Sequence, residues 1–259
     1  MKKIVAILLA LSLVFAFAAC GKKDEPASTA SDVVTPVEQP DTDTTEPEDT
    51  TEPEDEPEAA AVMSHADYVA AEIDSEVVIE TYVQATQSWW DNQITVYCQS
   101  EDGAYFMYNM ACSEEDSAKL VPGTKIRVTG YKSEWSGEVE IVDATFEIIE
   151  GSFIAEPVDV TELLGTDALI EHQNEKVLFT DMTVDSIQFK NDEPGDDIYV
   201  NLSKGDVECS FCVEFYLTGT DTDVYKAVSD LKAGDTVDVE GFLYWYEGAN
   251  THITSVTVK

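Results

Sequence analysis

Few residues of this 259-residue chain have the types and spacing that chemistry requires. The three histidines, His65, His172 and His252, are scattered and form no metal pair or catalytic triad at a usable spacing. Cys209 and Cys212 make a C-x-x-C, but three residues apart on an expected strand they face opposite sides, which suits neither zinc nor redox chemistry. Cys98 and Cys112 are expected to be buried free thiols, with a disulfide between them as the alternative. The acidic loop at 191–197 offers hard oxygens to calcium, yet it lacks the spacing and closing glutamate of an EF-hand, so a solvated hairpin loop is expected. No metal, no cofactor and no catalytic set is expected, and the chain reads as a non-enzyme. What remains is aromatic: Trp89 and Trp90 beside Asp91, Trp135 between Glu134 and Ser136, and the run Tyr244, Trp245, Tyr246. Rings next to polar groups suit stacking on sugars, bases or peptide side chains, and the competing use is packing within or between domains.

Charge narrows the partners. The chain has 53 acidic residues against 14 Lys plus Arg, a formal net charge of −39. Such a surface repels polyanions and gains little from counterion release, so nucleic acid is disfavoured as a partner. Arg127 is the sole arginine, which removes guanidinium clusters from consideration.

Lys2 and Lys3 precede an uncharged apolar run at 4–17, which closes on Phe17, Ala18, Ala19 and Cys20 before Gly21. A positive start, an apolar stretch too short to span a bilayer and a small-residue processing site mark residues 1–20 as a secretory leader. The closing tetrapeptide resembles the lipobox of bacterial lipoproteins, although Phe17 stands where that family usually has Leu. The resemblance implies acylation at Cys20 and a place on the extracytoplasmic face of a bacterial cell membrane. Residues 21–61 then hold six of the nine prolines and 14 of the acidic residues, with the repeat Thr-Thr-Glu-Pro-Glu-Asp at 44–49 and 50–55. That composition buries too little to order itself and predicts a disordered linker, extending to about 120 Å at ~3.1 Å per residue.

The rest is one unit written twice, at 62–152 and 153–259. Residues 121–131 (Val-Pro-Gly-Thr-Lys-Ile-Arg-Val-Thr-Gly-Tyr) match 231–242 (Leu-Lys-Ala-Gly-Asp-Thr-Val-Asp-Val-Glu-Gly-Phe), and each is followed by an aromatic turn ending in glycine, Gly137 or Gly248. Period-two alternation predicts mainly β structure, with hairpin turns at 101–103 and 203–206. Helices are expected at 64–72 and 161–172, opening each copy, and at 113–120 and 223–231 after the third strand. Five strands with a helix between the third and fourth is the order of an OB-fold, a Greek-key barrel. The Gly-Asp/Thr-x-Val/Ile-x-Val-x-Gly phrase also resembles bacterial OB-fold sequences.

That resemblance implies binding on the face of strands two and three, flanked by the loops that hold the tryptophans. Candidate ligand residues are therefore Trp89, Trp90, Tyr97, Tyr105 and Trp135 in the first copy, and Tyr199, Tyr244, Trp245 and Tyr246 in the second. The expected function is a non-enzymatic, lipid-anchored binding protein whose ligand is a glycan or a protein. The alternative is nucleic-acid or nucleotide binding. Oligomeric state is left open by the sequence.

Overall fold

The computed structural model describes residues 61–259, so Cys20, the leader and all but the last residue of the acidic linker lie outside the described residues. No described helix is long and apolar enough to cross a membrane.

The first copy runs α1 (His65–Ala70), β1 (Glu76–Thr86), β2 (Gln93–Ser100), β3 (Gly103–Ala111), α2 (Glu114–Ser117), β4 (Thr124–Trp135) and β5 (Glu138–Ser152). Its strands close into a barrel in the order β1-β2-β3-β5-β4, with β4 returning antiparallel to β1. This is the OB-fold arrangement, with a parallel β3–β5 contact sealing the ring. The second copy runs β6 (Val158–Asp159), β7 (Lys176–Phe189), β8 (Ile198–Lys204), β9 (Val207–Val213), α3 (Asp223–Ser229), β10 (Thr236–Phe242) and β11 (His252–Val258). Its order, β10-β11-β9-β8-β7-β6, repeats the first, and β10 also pairs with β7 to bring the ends together. The two-residue β6, parallel to β7, has no counterpart in the sequence expectations.

Alternation explains the strands. Along β4, Ile126 and Val128 are fully buried, while Lys125 and Arg127 point outward and share Glu80 at 2.8 and 2.7 Å. Turn chemistry explains the corners. Asp91 and Asn92 adopt φ of 47° and 61° between the bridged Trp90 and Gln93, and Ser136 and Gly137 adopt 53° and 93° before β5. Paired left-handed residues give the twist that two-residue hairpin turns require, and Asp, Asn and Gly tolerate it best.

The helices are shorter than expected. Ser64, Ser113 and Thr222 cap α1, α2 and α3 with their hydroxyl oxygens, as their positions imply. The helix expected at 161–172 is instead two 3-10 turns, Thr161–Leu163 and Asp167–His172, separated by Gly165 at φ 74°. A left-handed residue cannot continue a right-handed helix. At the other end of barrel 1, the buried Lys132 donates to the Tyr68, Val69 and Ala71 carbonyls at 2.8–3.0 Å, satisfying the end of α1. Each barrel has its own apolar core, and a third cluster of Tyr97, Phe106 and Phe242 joins the two.

Candidate functional site

The junction is built from the outer face of β2 and β3. Tyr97 stacks on Phe242 of the second barrel with centroids 4.7 Å apart, and Phe106 meets Tyr244 edge-on at 5.3 Å. Gln87 Nε2 donates to the Tyr97 hydroxyl (3.0 Å), which in turn lies 2.6 Å from His252 Nδ1. Burial lowers the His252 pKa to about 3, so the imidazole is neutral. With Tyr97 donating to Nδ1, the ring proton sits on Nε2. His252 also stacks on Tyr244 at 4.3 Å.

Around this aromatic plug, polar bonds tie the barrels together. Glu138, at the start of β5 and fully buried, accepts the Trp245 backbone N–H at 2.7 Å through Oε2. Its Oε1 has no partner among the described residues, and burial raises its pKa to about 8. Gln173 and Asn174 donate to the Gly137 and Val139 carbonyls at 2.8 and 3.0 Å. The Ser88 and Glu247 N–H groups reach the Tyr216 and Ser136 carbonyls, each at 2.8 Å.

Beside the plug the barrels open into a cleft of about 680 Å³. Trp90, Tyr108 and Trp135 line it from barrel 1, and Tyr216 and Tyr244 from barrel 2, with Phe106 and His252 between them. Trp90 is 73% exposed, Tyr216 57% and Trp135 53%, an unusual concentration of open rings. Tyr246 leans on Trp135 at 5.1 Å. The polar lining includes Gln87, Thr95, Asn109, Lys190, Asp197 and Glu214. Lys190 is engaged, 3.0 Å from Asp197 and 3.1 Å from Asp196, which pushes its pKa up. Glu214 is half-buried, and desolvation raises its pKa to about 7.

The sequence candidates separate into three groups. Trp90, Trp135 and Tyr244 line the cleft, and Tyr246 adjoins it through Trp135. Trp89 is not brought to them: its Nε1 donates to the Cys112 carbonyl (2.9 Å) and its ring packs on the first core. Trp245 packs on the second core, and Tyr199 is half-buried on β8 outside the cleft. Tyr97 and Tyr105 require correction. Tyr97 does point out of barrel 1, but barrel 2 covers it and leaves 1% exposed. Tyr105 points inward, at 2% exposure, because the turn after Ser100 sets it opposite the inward Cys98. The outward residues of β3 are Phe106 and Tyr108.

Sequence reasoning missed Tyr108, Tyr216, Glu214 and His252. The same turn places Tyr108 on the outer face by parity, whereas Tyr216 lies three residues beyond the end of β9, where alternation gives no signal. The four cysteines outside the leader are free, and Cys98, Cys112 and Cys212 are buried.

No family model and no curated protein matches the chain. Among solved structures, it is similar to a murine DNA-binding protein bound with double-stranded DNA, at 11% identity, TM-score 0.35, over 70% of this chain and 94% of that one. It is also similar to the p204 HINb domain, at 12% identity, TM-score 0.33, over 73% and 100%. A Replication Protein A heterotrimer bound to single-stranded DNA matches at 11% identity, TM-score 0.29, over 71% of this chain and 49% of that one. DNA is named as bound in two of these structures, against the expectation of a glycan or protein ligand and against nucleic acid as a disfavoured partner, and both expectations are corrected. The disfavour rests on the charge of the whole chain, and stacking on aromatic rings needs no neutralised phosphate.

Proposed function

We propose that this chain is a non-enzymatic nucleic-acid-binding protein whose inter-barrel cleft stacks unpaired bases of a strand or nucleotide. The observation that supports it most is the convergence of rings from both barrels on one cleft: Trp90, Tyr108 and Trp135 from the first and Tyr216 and Tyr244 from the second, with Trp90, Tyr108, Trp135 and Tyr216 exposed. Stacking on such faces is worth about 1–3 kcal/mol per base and accepts any base, because every base has a π-face. The acidic surface adds repulsion, so affinity draws on rings, with the phosphates directed to solvent.

Within the same reading, residues 1–20 are a lipoprotein leader, Cys20 is acylated, and the linker at 21–61 holds the barrels away from the extracytoplasmic face of a bacterial membrane. A mass measurement on the N-terminal peptide tests this; an unmodified thiol on Cys20 contradicts it.

The binding test is fluorescence anisotropy of a labelled single-stranded oligonucleotide across a salt series. Binding that stays level or strengthens as salt screens the repulsion supports the proposal. Affinity that falls steeply with salt points to phosphate contacts elsewhere, and no change in anisotropy refutes nucleic-acid binding.

A further inference from the structure

We propose that the cleft discriminates among bases, favouring those that present an exocyclic amino group over those that present a carbonyl at the same ring position. This rests on the cleft being the base-stacking site and adds what its polar wall can recognise.

Among the described residues, Lys190 is the one lysine or arginine in the cleft lining. Lys190 is held by Asp196 and Asp197 at 3.1 and 3.0 Å, so its charge is already matched by two carboxylates. Asp197 is also engaged at its other oxygen, where Oδ1 accepts the Phe215 N–H at 3.0 Å. Glu214 differs. It lines the cleft, forms no ion pair among the described residues, and accepts backbone N–H groups of its own turn, that of Leu217 at 2.8 Å. A carboxylate has about four lone-pair positions, so Glu214 keeps acceptor capacity while sitting half-buried.

Burial desolvates the Glu214 charge and raises its pKa, Asp197 adds to this, and Lys190 offsets only part of it. A ligand N–H donor would relieve that deficit. A ligand carbonyl would set lone pair against lone pair and worsen it. Carboxylates on proteins accept from the cytosine N4 amino group for this reason, and a well-made contact of this kind discriminates about tenfold or more. A base stacked on the cleft rings presents its edge to the polar lining, of which Glu214 is part.

Size-matched pairs isolate the edge from the area of stacking. Cytidine against uridine, and adenosine against inosine, each exchange an amino group for a carbonyl on a ring of the same size. The experiment is titration of the full-length chain with these four nucleosides at about pH 8, where Glu214, with its pKa of about 7, is mostly ionised, followed by tryptophan quenching and repeated with Glu214→Gln. The expected result is cytidine binding about tenfold tighter than uridine and adenosine about tenfold tighter than inosine, with both ratios near one in the variant. Four nucleosides that quench with equal affinity, or a preference for uridine and inosine, overturn the selectivity and leave the stacking site standing. A ratio that survives Glu214→Gln overturns the assignment to Glu214. If no nucleoside or oligonucleotide quenches the tryptophans, the stacking site itself fails and the selectivity with it. The wild-type comparison needs no substitution, so it decides the matter even if the variant misfolds.

Discussion

The two barrels share a topology and use the same face in opposite ways. On barrel 1 the surface of β2 and β3 is sealed at its centre by Phe242 and Tyr244, leaving Tyr97 and Phe106 buried. On barrel 2 the matching surface of β8 and β9 stays accessible at Tyr199, Asn201 and Ser210. The late loops, equivalent in the repeat, meet each other, with Trp135 against Tyr246 and the Glu247 N–H on the Ser136 carbonyl. Duplication has therefore yielded one shared cleft at a junction, where two separate sites would follow from copying alone.

The sharpest way to break this comparison is to truncate one outward tyrosine on the matching strand of each barrel. Tyr97→Ala removes a buried stack and the hydrogen bond to His252, and the expected loss is about 3–5 kcal/mol in denaturant unfolding. Tyr199→Ala on the open face should cost under about 1 kcal/mol. Equal losses would mean that the faces are not used differently.

Glu138 tests the polar half of the junction. An unfolded glutamate releases its proton near 4.5, whereas folded Glu138 keeps it to about 8. Between those values the native state binds more protons than the unfolded one, so this group's contribution to stability falls as pH rises from 4.5 to 8. His252 works the other way, losing stability as pH falls from 6.5 towards 3, so the Glu138 effect is cleanest above neutrality. Glu138→Gln should raise the Tm at pH 8 and flatten its decline between pH 7 and pH 8. A variant with the wild-type pH slope would contradict the buried carboxyl.

Gly137→Ala is a smaller perturbation. Its φ is 93°, and an added Cβ would lie 2.7 Å from Trp245 Cδ1. The expected cost is about 1–2 kcal/mol in thermal unfolding, with weaker docking of the late loops. Smallest in stability is Trp90→Ala. At 73% exposure the ring holds little of the fold, so unfolding should shift by under about 0.5 kcal/mol, while base affinity drops about tenfold.

Much of this architecture was legible. The repeated Gly-Asp/Thr phrase located β4 and β10, and period-two alternation predicted β structure. The cleft was legible in part. Trp90 and Trp135 sit on loops that an OB-fold brings together, but Trp89, one residue earlier, packs on the first core, where its Nε1 donates to the Cys112 carbonyl. Tyr105 lies on the inner side of β3, against expectation, because the two-residue turn at Glu101 and Asp102 pairs it with the inward Cys98. What no local pattern holds is the docking of one barrel on the other. Tyr97 has an outward position in its own strand, and only the arrival of Phe242, 145 residues later, decides that outward means buried.

The most direct measurement of the central claim is tryptophan fluorescence of the full-length chain during titration with a single-stranded oligonucleotide, in wild type and in Trp90→Ala/Trp135→Ala. Stacking in the cleft predicts saturable quenching that the double variant loses while its unfolding transition stays in place. Quenching unchanged by the double variant, or none in the wild type, would contradict a base-stacking cleft between the barrels.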